Sequence, residues 1–292
     1  MNDSLLAGEK IMFAYGDHAI LHGVDVDLHR GDLVALLGPN GSGKTTLLKI
    51  LCGILPPRGG RLWLDGGDLA AIRRREIARR IALVPQELIA PFAFTAREMV
   101  SLGRTPHVRP LFGERARDRD AVEKALELTE TRALSNRFFD ELSGGERQRV
   151  VIAMALAQVL TDLQSSEKPE AVDAILLLDE PTVHLDINHQ MEILELVYKL
   201  NRERGLTVLA TMHDLNLASL YFDRLILLNE GHIITEGTPR EVLSKERVES
   251  VFGADVLVQA HPAYSDVPHI VLLPSNGRGK EKSTERSRNR PG

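Results

Sequence analysis

Nine consecutive residues, Gly38, Pro39, Asn40, Gly41, Ser42, Gly43, Lys44, Thr45 and Thr46, carry the most specific chemistry in the chain. Glycines at this spacing let successive backbone N–H groups close around an anion, and a helix beginning at Lys44 adds its positive end. The pattern is that of a phosphate-binding loop: Lys44 is placed to neutralise the β- and γ-phosphates of a nucleoside triphosphate, and the Thr45 hydroxyl to ligate Mg²⁺. A second cluster, Ile175 to Leu178 followed by Asp179 and Glu180, is an apolar strand ending in two carboxylates. At the end of a strand both can face the nucleotide, Asp179 toward the metal shell and Glu180 toward the attacking water. A third stretch, Leu142-Ser143-Gly144-Gly145-Glu146, opens a helix with a hydroxyl and free N–H groups, which makes a second anion site. The same Ser-x-x-Glu spacing is a capping box, and the two readings are compatible. Simple hydrolysis needs only one phosphate site, so two chains facing head to tail, each ATP clamped between them, account for both.

Positioning these residues requires strands that alternate with helices, hence an α/β fold with a mainly parallel sheet. Leu33 to Leu37 is the strand before the loop, and Lys44 to Cys52 the helix after it, with Gly53 available as a cap and Pro56-Pro57 preventing return. Lys10 to Tyr15, Ala19 to Leu28 and Arg61 to Leu64 alternate as half-buried strands and predict a small antiparallel β subdomain. Helical patterning over Thr95 to Leu102, Arg115 to Leu134 and Glu146 to Leu160 predicts a helical subdomain, about 87–160, inserted into the nucleotide-binding core. The polar stretch Thr161 to Asp173 reads as an exposed loop. Core strands resume at Ala174 to Leu178 and Leu206 to Thr211. Between them Ile187, Met191, Leu194 and Tyr198 recur at helical spacing and read as a core-facing stripe. Arg224 to Leu228 and His232 to Thr235 read as a hairpin.

Composition narrows the class. The 292 residues carry a net charge of −5, with 43% apolar and 26% charged residues, an ordinary globular balance. Residues 275–292 hold six Arg or Lys against Glu281 and Glu285 and no apolar side chain to bury, so they read as a disordered basic tail. The remainder is acidic, near −9, which is poor material for a nucleic-acid binder. No run approaches the length of a membrane span, and no secretory leader is expected. Cys52 stands alone, which excludes a disulfide framework or a cysteine-built metal site within one chain.

From Ile11 to Pro274 the motifs resemble, in order, those of the ATP-binding subunits of ABC transporters. The resemblance implies a P-loop NTPase core with an antiparallel β subdomain and an inserted helical subdomain, spanning residues 1–274 as one ATPase domain. Gly38 to Thr45 correspond to Walker A, Ile175 to Glu180 to Walker B with the catalytic carboxylate, and Leu142 to Glu146 to the signature. Gln86 resembles the Q-loop glutamine that links Mg²⁺ and water to the helical subdomain. His213 resembles the switch histidine at the γ-phosphate, Leu185-Asp186 the D-loop, and Tyr15 the aromatic that stacks on adenine. Each also has a plainer reading: a loop amide for Gln86, a strand-end histidine for His213, a helix cap for Asp186 and a sheet aromatic for Tyr15. The signature has Glu146 where Gln is commoner in the family, and the D-loop reads Thr182-Val183-His184-Leu185-Asp186.

Thr95 to His107, with its Gly103-Arg104-Thr105-Pro106-His107 segment, resembles importers of ferric siderophores, haem and cobalamin. The implied protein is the ATPase of such an importer, with ATP and Mg²⁺ as ligands. It works as a homodimer at the cytoplasmic face of the inner membrane, with separate permease subunits and, indirectly, a solute-binding protein. A ferric siderophore is the cargo expected first, with haem or cobalamin as alternatives. A soluble cassette of a cytosolic assembly such as iron–sulfur cluster biogenesis is the alternative of another class.

Overall fold

The computed structural model describes residues 4–90, 92–108, 116–160 and 173–274. The basic tail and all of the polar insertion except Asp173 therefore lie outside the described residues. In chain order the elements are β1 (Ser4–Tyr15), β2 (His18–His29), β3 (Leu33–Leu37), α1 (Lys44–Leu51), β4 (Gly59–Leu64), β5 (Gly67–Asp68), α2 (Arg74–Ala78) and β6 (Ile81–Val84). The helices α3 (Ala96–Leu102), α4 (Ala116–Leu128) and α5 (Gly144–Val159) follow, and then β7 (Ile175–Leu178), α6 (Ile187–Arg204), β8 (Thr207–Met212) and α7 (Leu215–Tyr221). The chain continues through β9 (Arg224–Asn229), β10 (His232–Gly237), α8 (Pro239–Val242), α9 (Lys245–Phe252), β11 (Val256–Ala260) and β12 (Pro268–Leu272).

The central sheet has the order β10-β9-β3-β8-β7-β6, parallel throughout except for the antiparallel edge strand β10. Its inner strands are buried on both faces, as a strand flanked by layers on each side must be. Alternation divides them between two cores. Leu33, Ala35 and Leu37 face one core together with Leu176, Leu178 and residues of α5 and α6, while Val34 and Leu36 face the other with Ile175, Leu177 and α1. The second core is closed by the antiparallel sheet β2-β1-β4-β5, which is the expected β subdomain. Strand β6, which the sequence reading had not assigned, forms the edge of the central sheet.

The helices α3, α4 and α5 pack together as the expected helical layer. Its interior holds a buried ion pair: Arg104 donates to Asp118 (3.0 and 3.1 Å) and to the carbonyls of Ala157 (2.6 Å) and Leu160 (2.8 Å). The helix expected to reach Leu134 stops at Leu128. The Thr129 hydroxyl donates to Ala125 O (2.9 Å) and the Thr131 amide to Leu126 O (2.9 Å), so local polar groups replace the next helical turn.

Of the stripe Ile187, Met191, Leu194, Tyr198, only Leu194 packs into the core as expected. The buried face of α6 is Ile193, Leu194, Val197, Leu200 and Asn201, roughly a quarter turn around the helix from that stripe. Ile187 is 77% exposed and Tyr198 43%. Ile187 is the first residue after the Asp186 cap, and Tyr198 lies beneath the Arg202 guanidinium at 4.9 Å. A C-terminal hairpin, β11 with β12, was not legible in the sequence. It is held on α7 by the Asn216 amide, which donates to Ile270 O (3.1 Å) and accepts from Ile270 N (2.7 Å).

Candidate functional site

The ends of four adjacent parallel strands carry the site, the place where open α/β sheets bind ligands. After β3 comes the loop Gly38 to Thr45, after β8 His213, after β7 Asp179 and Glu180, and after β6 Gln86. The loop is supported from below by the tight turn between β9 and β10, where Gly231 N donates to Ser42 O (3.1 Å). Gly38 passes so close to β9 that a Cβ there would lie 2.1 Å from Leu228 O. Gly43 has φ +106°, and a Cβ on it would meet Leu21 at 2.8 Å. Only glycine lets the loop wrap this tightly into α1.

Lys44 is 5% exposed, and its ammonium donates to Gly38 O (2.9 Å) and Pro39 O (3.2 Å). Burial pushes its pKa down, opposed by the nearby charges of Glu180 and Asp179. The Ser42 hydroxyl is buried in the loop without a hydrogen-bond partner. Asp179 Oδ1 accepts from the hydroxyls of Thr45 (3.0 Å) and Thr211 (3.0 Å), and Thr211 in turn accepts from the Glu180 amide (2.7 Å). Glu180 sits in the left-handed region (φ 51°), a conformation that costs energy in a non-glycine residue and clusters at functional sites. There its carboxylate meets Nε2 of His213. A cleft of about 200 Å³ opens above, lined by Ile20, Asn40, Gly41, Gly43, Lys44, Thr45, Thr46 and Glu180.

These residues fit a magnesium nucleotide. Thr45 and Asp179 offer two hard oxygen donors side by side. Among the described residues no group of three or more His, Cys, Asp or Glu forms a metal cage. The Thr45 and Asp179 pair suffices for Mg²⁺, which takes one or two protein ligands and fills its octahedron with phosphate oxygens and water.

The other sequence-derived residues lie apart from the cleft lining. Gln86 is exposed two residues past Val84, whose carbonyl accepts from Asp179 N (2.9 Å), so it stands at the same sheet edge. Tyr15 is 50% exposed at the end of β1, edge-on to Phe13 at 4.9 Å. Asp186 caps α6, accepting from His189 N (2.9 Å) and contacting His189 Nδ1 (2.8 Å). Ser143 caps α5 in a capping box with Glu146, and both Ser143 and Gly144 are exposed. A Cβ on Gly145 would lie 2.2 Å from the His189 ring, which is why glycine is needed where α5 meets α6. The anion site at the start of α5 thus faces outward and not into the chain's own cleft. Thr211, which joins Asp179 to Glu180, and Ile20, which walls the cleft, were missed from sequence. Thr211 shares its strand with a second buried threonine, Thr207, and nothing local in the sequence separates the two.

Comparisons with known proteins agree in kind. A family model described as ABC transporter matches residues 21–183. The ferric enterobactin transport ATP-binding protein FepC of Escherichia coli (strain K12) is 41% identical over 269 residues, covering 92% of this chain and 94% of FepC. The hemin import ATP-binding protein HmuV of Pseudomonas entomophila (strain L48) is 43% identical over 258 residues, covering 88% and 96%. A chain of a solved ABC transporter in an inward-facing conformation superposes with a TM-score of 0.77 at 30% identity, over 93% of this chain and 98% of that one. The dimeric bacterial ABC transporter cassette MJ0796 gives a TM-score of 0.65 at 29% identity, over 80% and 99%.

Proposed function

The chain belongs to the ABC transporter family of ATP-binding proteins, and from that premise we propose that it is the ATP-hydrolysing subunit of an importer of an iron complex. The observation that carries the reading is the convergence of Lys44, Thr45, Asp179, Glu180 and His213 at one sheet edge, with a second anion site facing away from it. In this reading the loop amides of Gly41 to Thr45 and the N-terminus of α1 hold the phosphates, and Lys44 exchanges the Gly38 and Pro39 carbonyls for phosphate oxygens. Thr45 and Asp179, together with Gln86, would hold Mg²⁺, which when bound would offset charge on the phosphate oxygens. Glu180, oriented by Thr211 and His213, takes the proton of the attacking water. Tyr15 stacks on adenine.

Ser143 and Gly145 of a second copy complete each ATP site, so the working unit is a homodimer with two such sites. The dimeric MJ0796 cassette supports that arrangement. No helix among the described residues is long and apolar enough to cross a membrane. Separate permease subunits belong to this reading, supported by the likeness to FepC and HmuV, which are named as the ATP-binding proteins of their transport systems. The segment after Gln86 suits permease docking: Ile89 is 78% exposed and Phe92 71%, with the Phe92 ring edge-on to Phe94 at 6.1 Å. We place the subunit at the cytoplasmic face of the inner membrane, with residues 1–274 as the ATPase domain and a solute-binding protein acting through the permease. The cargo we favour is a ferric siderophore, supported by the coverage of FepC, and the likeness to HmuV supports haem as the second reading.

The test is reconstitution with a permease in liposomes, where a ferric siderophore or haem, presented on its solute-binding protein, should stimulate ATPase activity. Within that system Glu180→Gln should bind ATP normally yet lose turnover by about 10² or more, the cost of removing a general base. Near-normal ATPase in this variant would overturn the mechanism.

A further inference from the structure

Arg137 lies outside the ATP cleft and has no role in the mechanism above, yet it belongs to two functional neighbourhoods at once. Its backbone carbonyl accepts from Ala96 N (2.9 Å), at the start of α3. Its guanidinium donates to Glu146 Oε1 (3.2 Å) and to Glu141 O (3.0 Å), at the start of α5. Around it Phe139 N donates to Phe94 O (2.8 Å), Arg97 N donates to Ser135 O (3.0 Å), and Thr95 bridges Phe138. The turn and bend over 135–137, with the isolated bridge at Phe138, are therefore stitched to residues 94–97, which follow the exposed apolar segment.

Glu146 creates the need for a cation here. Its Oε2 accepts from Ser143 N (2.8 Å), and that amide holds its carboxyl below the usual carboxylate range, so the charge is present at neutral pH. A carboxylate three residues into α5 stands beside the same N-terminus that is to receive a phosphate. Left alone it would repel that phosphate. Gln at this position carries no such charge.

We propose that Arg137 is a positioning residue that offsets the Glu146 carboxylate and fixes Ser143 relative to residues 94–97, so that the second anion site can accept the γ-phosphate of an ATP bound by another copy of the chain. The proposal rests on the reading of Ser143 and Gly145 as the completing half of a partner's ATP site.

The test uses the purified full chain, measuring KM and kcat for ATP together with the affinity for a fluorescent ATP analogue. Arg137→Gln keeps a hydrogen-bond donor and removes the charge. It should raise KM about fivefold, the scale of a half-exposed charge pair, while analogue binding to the intact loop stays within about twofold of wild type. Arg137→Lys should keep KM near wild type. Adding Glu146→Gln to Arg137→Gln should return KM most of the way, because the uncompensated charge is then gone. A purely structural role predicts the reverse, a double variant at least as impaired as the single one. An unchanged KM in Arg137→Gln, or no rescue by Glu146→Gln, overturns the proposal. Ser143→Arg separates it from the underlying reading: full ATPase activity there removes the signature role itself, whereas loss of activity there with a normal Arg137→Gln removes only the proposal.

Discussion

At the scale of single residues, Thr211 organises the proposed catalytic edge without lining the cleft. Fully buried, it joins the Asp179 carboxylate to the Glu180 backbone, and so relates the metal-side oxygen to the carboxylate that meets His213. Thr211→Val keeps the shape and removes both hydrogen bonds. We expect kcat to fall roughly tenfold through misplacement of Glu180, with ATP binding retained. Steady-state ATPase combined with equilibrium nucleotide binding checks this, and a proportional loss of both would count against a positioning role. Lys44, Thr45, Asp179 and Glu180 stand out in the sequence as candidates because each sits inside a short motif flanked by a strand and a helix, and the fold brings them together. Thr211 does not, since its partners are 31 and 32 residues away and nothing local marks a strand-end threonine as a bridge.

At the scale of elements, the helical layer depends on one buried cation. Arg104 is 6% exposed and Asp118 3%, and the guanidinium ties α3 to α4 and to the end of α5. Removing one partner of such a pair strands the other charge in a low-dielectric interior. Arg104→Ala should therefore cost about 3–5 kcal/mol, far more than loss of an exposed pair such as Lys124 with Glu127. Urea unfolding measures the difference. The segment Gly103 to His107 was recognised in sequence as a family resemblance, and its physical purpose emerges only in the fold. Gly103 admits the α5 backbone, since a Cβ there would lie 2.1 Å from Met154 O, and His107 Nε2 contacts Gln158 O at 2.7 Å. Helix α6 makes the complementary point: its apolar periodicity was correctly read as helical, but two overlapping stripes satisfied it, and packing against the sheet selected the one through Val197.

At the scale of the whole molecule, Ser143, Gly144 and Ile187 are exposed, and the proposed pairing sets them on the surface that meets another copy of the chain. The Glu180→Gln variant, trapped with Mg-ATP, should elute at twice the mass of the nucleotide-free protein in gel filtration. Ser143→Arg in the same background should remain at single mass. A monomer in both cases would refute ATP-driven pairing. By itself the sequence determined the strand–loop–helix nucleotide motif, the β and helical subdomains and the capped start of α5. These are local, because glycine spacing, caps and hydrophobic period act within a few residues of one another. Tertiary structure alone decided that the four strand ends share one edge, that Thr211 and Arg137 join distant motifs, which face of α6 is buried, and that β11 and β12 dock on α7. Those outcomes depend on side chains finding partners tens to hundreds of residues away, a choice that close packing of the two cores makes and that no short stretch of sequence encodes.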